Sequence, residues 1–155
     1  MKARAVILTL ALCFVGAAAS YAAEDAFIGT WKLNEAKSKF APGTGENTTV
    51  VYEAAGDSVK VTVDGLDAEG KPTHNEWTGK FDGKDYSVTG DPTSDMRAYK
   101  RVSAHTLALT NKKNGKVTIT GRIVVSYDGK IRTVTTHQTD SKGNKVTNTA
   151  FYEKQ

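Results

Sequence analysis

Three observations predict an all-β fold, an antiparallel up-and-down barrel of about ten strands with one short helical turn after the first. Two-residue turn signals punctuate the chain: Asp64-Gly65, Glu69-Gly70, Asp82-Gly83, Asn114-Gly115, Asp128-Gly129 and Lys142-Gly143. Asp-Gly and Asn-Gly tolerate positive φ at both central positions, as type I′ hairpin turns require. Between the signals the side-chain period is two, with one apolar and one polar face. Finally, so many strands joined by tight turns would leave unpaired edges unless the sheet closes on itself.

The elements follow in order. "FIGTWKL", residues 27–33, reads as the first strand. Asn34 to Phe40 ("NEAKSKF") opens on a good N-cap residue, contains helix formers and stops before Pro42-Gly43, so it is expected to make one or two helical turns, held by Phe40 packing on the barrel like a lid over one mouth. Further strands are expected near 47–54, 58–63, 73–81, 85–89, 96–102, 106–112, 116–126, 131–139 and 145–153. Val59, Val61 and Val63 alternate with Lys60, Thr62 and Asp64; Trp77, Gly79 and Phe81 oppose Glu76, Thr78 and Lys80; Val117, Ile119, Ile123 and Val125 share a face with Gly121. The expected inward set is Trp31, Leu33, Tyr52, Val61, Trp77, Phe81, Tyr86, Leu107, Leu109, Ile119, Ile123 and Val125. After Ile131 the run Thr133-Val134-Thr135-Thr136 marks no inner face. Phe81-Asp82-Gly83-Lys84 and Tyr127-Asp128-Gly129-Lys130 are similar phrases at an irregular offset, repeated use of one hairpin solution rather than a solenoid repeat.

The first residues read as an export signal. Lys2 and Arg4 precede the apolar run Ala5 to Val15, and Ser20-Tyr21-Ala22 is a small-x-small cleavage site, so residues 1–22 are expected to be removed by Sec export, giving a periplasmic or secreted protein that starts at Ala23. The apolar run is too short to span a bilayer. The lone cysteine, Cys13, follows Leu12 within that run rather than a small residue, which argues against a lipid anchor. Of 155 residues, 22 removed leave 133, the size of one domain with its own core and with neither disulfides nor thiolate sites.

Charge is divided along the chain. Between Glu24 and Asp95 stand 14 acidic and 7 basic residues; between Met96 and Arg132, 9 basic residues stand against Asp128 alone. Two readings are open: a basic face that attracts an acidic protein or lipid headgroups, or basic and acidic strands that neutralise one another across the sheet. Nucleic acid is not an expected partner, since no basic-aromatic interleaving of the recognised modules is present.

The ends of the chain carry a family resemblance. "AFIGTWKLNEAKSKF", residues 26–40, resembles the opening of the fatty-acid-binding proteins, and Gly29-Thr30-Trp31 is similar to the Gly-x-Trp signature of lipocalins and avidins, which together form the calycin group. Phe151-Tyr152-Glu153-Lys154 resembles the aromatic-Tyr-Glu-Lys close of the fatty-acid-binding proteins. The resemblance implies a lipocalin-like barrel of exported bacterial type, with Trp31 packed as a plug at the closed end and Gly29 admitting neighbouring backbone. Two departures stand out. Thirteen residues, Asn34 to Glu46, replace the helix-turn-helix of the fatty-acid-binding proteins, and Ala150 stands where their carboxylate clamp has an Arg two residues before the terminal Tyr, leaving Tyr152 without that partner.

Catalytic chemistry has no anchor. His74, His105 and His137 are about thirty residues apart, without ligand spacing, so no metal is expected. Asp64, Asp67, Glu69, Asp82 and Asp85 sit at turn positions, and nucleophile-elbow, phosphate-loop and zinc-helix motifs are absent. A non-enzyme without cofactor is therefore expected. The leading expectation is a barrel enclosing a small hydrophobic molecule stacked on Trp77, Phe81 and Tyr86, with Arg122 or Arg132 turned inward to meet an anionic head where the ligand has one, and Tyr152 nearby. The alternative is a filled barrel, an inhibitor or envelope-interaction module, acting through Lys100, Arg101 and their neighbours. A void above a few hundred Å³ separates the two.

Overall fold

The computed structural model describes residues 24–155; the expected leader, residues 1–22, lies outside the described residues. Ten strands succeed one another: β1 (Gly29–Leu33), β2 (Glu46–Ala55), β3 (Ser58–Leu66), β4 (Pro72–Gly79), β5 (Tyr86–Thr89), β6 (Met96–Ser103), β7 (Thr106–Lys113), β8 (Lys116–Val125), β9 (Ile131–Thr139) and β10 (Lys145–Lys154). Each pairs antiparallel with its sequence neighbours, and β10 returns to β1, so the sheet is a closed up-and-down barrel. The seam pairs Trp31 with Lys154 and Leu33 with Tyr152. Beyond the strands, Gln155 N–H donates to the Thr30 carbonyl at 3.0 Å and Asn34 N–H to the Phe151 carbonyl at 2.8 Å. Closure leaves no free edge on β1 or β10.

Phe27 and Ile28, expected within the first strand, instead form a turn. Gly29 has φ +131°, and a Cβ there would lie 2.5 Å from the Lys154 side chain, so only glycine lets the chain swing over the barrel end. The swing drives Phe27 to full burial, and the Trp31 indole, also fully buried, donates from Nε1 to the Phe27 carbonyl at 2.9 Å. Asp25 accepts from Phe27 N–H and pairs with Arg101, whose guanidinium lies 5.5 Å from the Phe27 ring centre and 5.1 Å from that of Phe81.

The helical segment reduces to one 3-10 turn, Glu35–Lys37, capped by the Asn34 side chain, which accepts from Lys37 N–H at 3.1 Å. Three residues are too few for an α-helix. The following chain runs along β10 through a Lys39–Thr149 bridge, Phe151 N–H donates to Ser38 Oγ at 2.9 Å, and Phe40 packs against the barrel core as expected.

Turn chemistry also differs from expectation. Only Asn114-Gly115 has positive φ at both central positions. At Asp67, Asp82, Asp128 and Asp140 the carboxylate accepts from the backbone N–H two residues on, an Asx turn that needs positive φ only at the later glycine. Asp64-Gly65 is no turn at all, since both residues lie within β3. Gly65 faces the β2 bulge between Asn47 and Thr49, where a Cβ would stand 2.2 Å from the Glu46 carbonyl oxygen.

Candidate functional site

Strand alternation sends side chains inward, but the two ends of the cylinder are filled differently. At the end reached by the N-terminal turn, aromatic rings interlock. Trp77 meets Tyr99 edge to face at 4.8 Å and Tyr86 at 5.7 Å, and stacks near Phe81 at 6.5 Å; Tyr52 stands 6.3 Å from Tyr99. The Trp77 indole donates to the Arg97 carbonyl at 2.9 Å. Such contacts add to the area each ring buries, and they leave this half solid.

The other half holds a cavity of about 800 Å³, which reaches the surface among the loops that follow β1, β3, β5, β7 and β9. Phe40, Val50, Val63, Leu109, Ile123 and Val134 supply apolar wall. Set among them are Arg97, Arg132, Asn75, Asn111, Asn148, Tyr99 and Tyr152.

Arg132 and Tyr152 face each other across the β9–β10 ladder. Arg132 stands on β9, beside the strand that carries Tyr152. Arg132 is only 4% exposed, and its guanidinium lies 4.7 Å from the Tyr152 ring centre and 5.2 Å from that of Tyr52. One nitrogen, Nη2, donates to the Tyr52 hydroxyl at 3.0 Å; Nε and Nη1 are buried without a partner. Tyr152 in turn donates to the Asn47 carbonyl at 2.9 Å.

Burial, the largest influence, opposes the Arg132 charge, but the net shift is upward, and a guanidinium keeps its charge at any ordinary pH. The Tyr52 and Tyr152 phenols are pushed above their ordinary range, by burial first, with Arg132 opposing, and remain neutral near pH 7. Among the described residues no carboxylate pairs with Arg132. A buried cation held only by neutral phenols carries a desolvation penalty of several kcal/mol that an incoming anion relieves.

Arg97 provides the contrast. Its Nη2 meets Asp91 at 3.3 Å and its Nε donates to Asn111 Oδ1 at 3.2 Å. Asp91 is itself fixed by Thr93, through N–H at 2.8 Å and Oγ1 at 2.7 Å. This arginine is neutralised within the chain.

Of the residues expected to hold a ligand, Arg132 and Tyr152 line the cavity, whereas Trp77, Phe81 and Tyr86 belong to the packed half and do not. They face inward as alternation requires; period two fixes the face but not the depth along the axis. Arg122 is a correction: it is exposed, on the outer side of β8, in a shallow groove with Thr120, Val124, Thr133, Thr135 and His137. Its neighbours Ile123 and Val125 are buried, so Arg122 takes the outward position.

The basic stretch does not form one face either. Arg97 and Arg132 turn inside, Arg101 pairs with Asp25, and Lys112 pairs with Asp85 at 2.6 Å, while Lys100, Lys116, Arg122 and Lys130 are exposed. Residues missed in the sequence are Asn75, Asn111, Asn148 and Arg97. Asn148 was within reach, standing in phase with Ala150 and Tyr152; Arg97 was not, because β6 buries Arg97, Ala98 and Tyr99 consecutively.

Among the described residues no group of three His, Cys, Asp or Glu side chains is placed to hold a metal ion, and no helix is long and apolar enough to cross a membrane. The architecture and cavity define a closed antiparallel β-barrel with an internal chamber open at one end. No family model matches the chain, and no curated protein does. Solved structures similar to it include EF1p2_mFAP2b bound to DFHBI, 13% identical, covering 84% of this chain and 94% of that chain with a TM-score of 0.46. A redesigned β-barrel, mFAP1, bound to DFHBI, is 14% identical over 84% of this chain and 95% of that one, with a TM-score of 0.42. Likeness this loose carries no argument about function.

Proposed function

We propose that this protein is an exported, lipocalin-like carrier or sensor, not an enzyme, that takes a small amphiphilic anion into the barrel with its charged head on Arg132 and its apolar body along the cavity wall. The observation that carries this reading is the buried guanidinium with two unpartnered nitrogens beside a chamber of about 800 Å³. A carboxylate or sulfonate accepts from two guanidinium nitrogens at once, a geometry that neutral ligands do not match. The chamber favours this reading over a filled barrel working through its surface.

The test is uptake of 11-(dansylamino)undecanoic acid, followed by its fluorescence, against the corresponding primary amide. The acid is expected to bind at least tenfold more tightly than the amide, and Arg132→Met to abolish that difference. Equal affinity for acid and amide in the unaltered protein would reject the anionic head. For export, N-terminal sequencing of the protein recovered from its own host is expected to begin at Ala23; an intact Met1 would refute it.

A further inference from the structure

Three asparagines are buried in the cavity wall, one each on β4, β7 and β10, and two of them are occupied. Asn111 accepts from Arg97. Asn148 accepts from Ala41 N–H at 2.8 Å and donates to Thr44 Oγ1 at 3.1 Å, tying the loop after the 3-10 turn to β10. Asn75 is different. It is 8% exposed, it lines the cavity, and its Oδ1 has no hydrogen-bond partner. Its neighbours offer nothing: Val63 stands opposite it on β3, and Arg97, also in the cavity wall, is committed to Asp91 and Asn111.

A buried carbonyl oxygen left unpaired costs about 1–3 kcal/mol, and Leu, with the same branched skeleton, would avoid that cost. Asn75 also stands one inward step above Trp77 on β4, roughly 7 Å along the strand toward the open end. Trp77 meets Tyr99, which neighbours Tyr52, the phenol that holds Arg132. Asn75 and Arg132 line the same cavity, so a molecule whose head sits at Arg132 shares the chamber with the free amide.

We infer that Asn75 is a specificity-determining residue: the ligand carries a hydroxyl on its apolar body, which Asn75 hydrogen-bonds, so the barrel selects hydroxylated amphiphilic acids over plain acyl chains. A hydroxyl both donates and accepts, so it suits either orientation of the amide. An unsubstituted chain would bury the Asn75 amide against methylenes and leave it unpaired. This inference rests on the anionic-head reading and adds a second point of contact to it.

The experiment is competition against the dansyl acid by octadecanoate and by its 10-hydroxy and 12-hydroxy derivatives, in the unaltered protein and in Asn75→Leu. At least one hydroxy acid is expected to bind five- to tenfold more tightly than octadecanoate, the worth of about one buried hydrogen bond. In Asn75→Leu the three are expected to rank alike, through gain by octadecanoate and loss by the hydroxy acid. Because the variant removes an unpaired polar group, its ligand-free melting temperature is expected to equal or exceed that of the parent, a readout independent of any ligand. Equal affinities in the parent, or a hydroxyl preference that survives in Asn75→Leu, would overturn the inference while leaving the role of Arg132 intact. Failure of all three acids to displace the probe would remove both readings together.

Discussion

At the scale of single residues, the arginine pair shows how one side-chain type serves two ends. Arg97 is matched inside the chain by Asp91 and Asn111, so its burial is compensated. Arg132 has only the Tyr52 hydroxyl and the faces of two rings, and replacing so poorly compensated a charge with an apolar side chain is generally neutral or stabilising. Ligand-free Arg132→Met is therefore expected to unfold in urea at the same or a higher midpoint, with a gain of up to about 2 kcal/mol, although it loses anion uptake. A loss above about 2 kcal/mol would mean that Arg132 is a structural strut rather than a waiting ligand contact.

At the scale of elements, the strands were readable and their terminations were not. All ten expected runs exist, because Val, Thr, Ile and aromatic residues alternate with polar ones over lengths that suit a two-faced ladder. The inward set holds as well, from Trp31 and Tyr52 to Val125. Two local readings failed for one reason, that glycine has more than one use. Gly29, by adopting positive φ, makes β1 begin two residues late, and Gly65, which looks like half of a hairpin, is the site where β2 and β3 backbones approach. A close approach needs partners distant in sequence, so no local pattern reveals it. Gly65→Ala is expected to lower stability by about 2–3 kcal/mol in chemical denaturation, since the obstructing atom is a backbone oxygen that cannot rotate away. A change below 0.5 kcal/mol would show that the bulge relaxes freely. The candidate site was half legible for a related reason: Arg132 and Tyr152 could be named, but only the register that sets them opposite each other makes them a pair.

At the scale of the whole molecule, one cylinder combines a solid half and a hollow half, and the order of aromatic residues along the strands divides them. Rings crowd toward one end, in Phe27, Trp31, Trp77, Phe81 and Tyr86, while asparagines, threonines and mid-sized aliphatics line the other. The solid half is expected to anchor the fold, so that ligand chemistry can vary above it at small cost in stability. The lopsided charge of the sequence disperses in the same geometry, partly inward and partly into pairs such as Lys112 with Asp85 and Arg101 with Asp25.

The seam between β1 and β10 has a consequence for how the molecule is made. Because β1 and β10 seal each other, no nascent fragment that stops short of β10 can complete the ring, and the barrel stays open until that strand has emerged. Contacts spanning nearly the full length also make the closing step slow. A chain lacking residues 145–155 is expected to show no cooperative melting transition by circular dichroism; a sharp transition would show that nine strands suffice. Late completion makes the last strand to arrive the one that decides when the chamber exists at all.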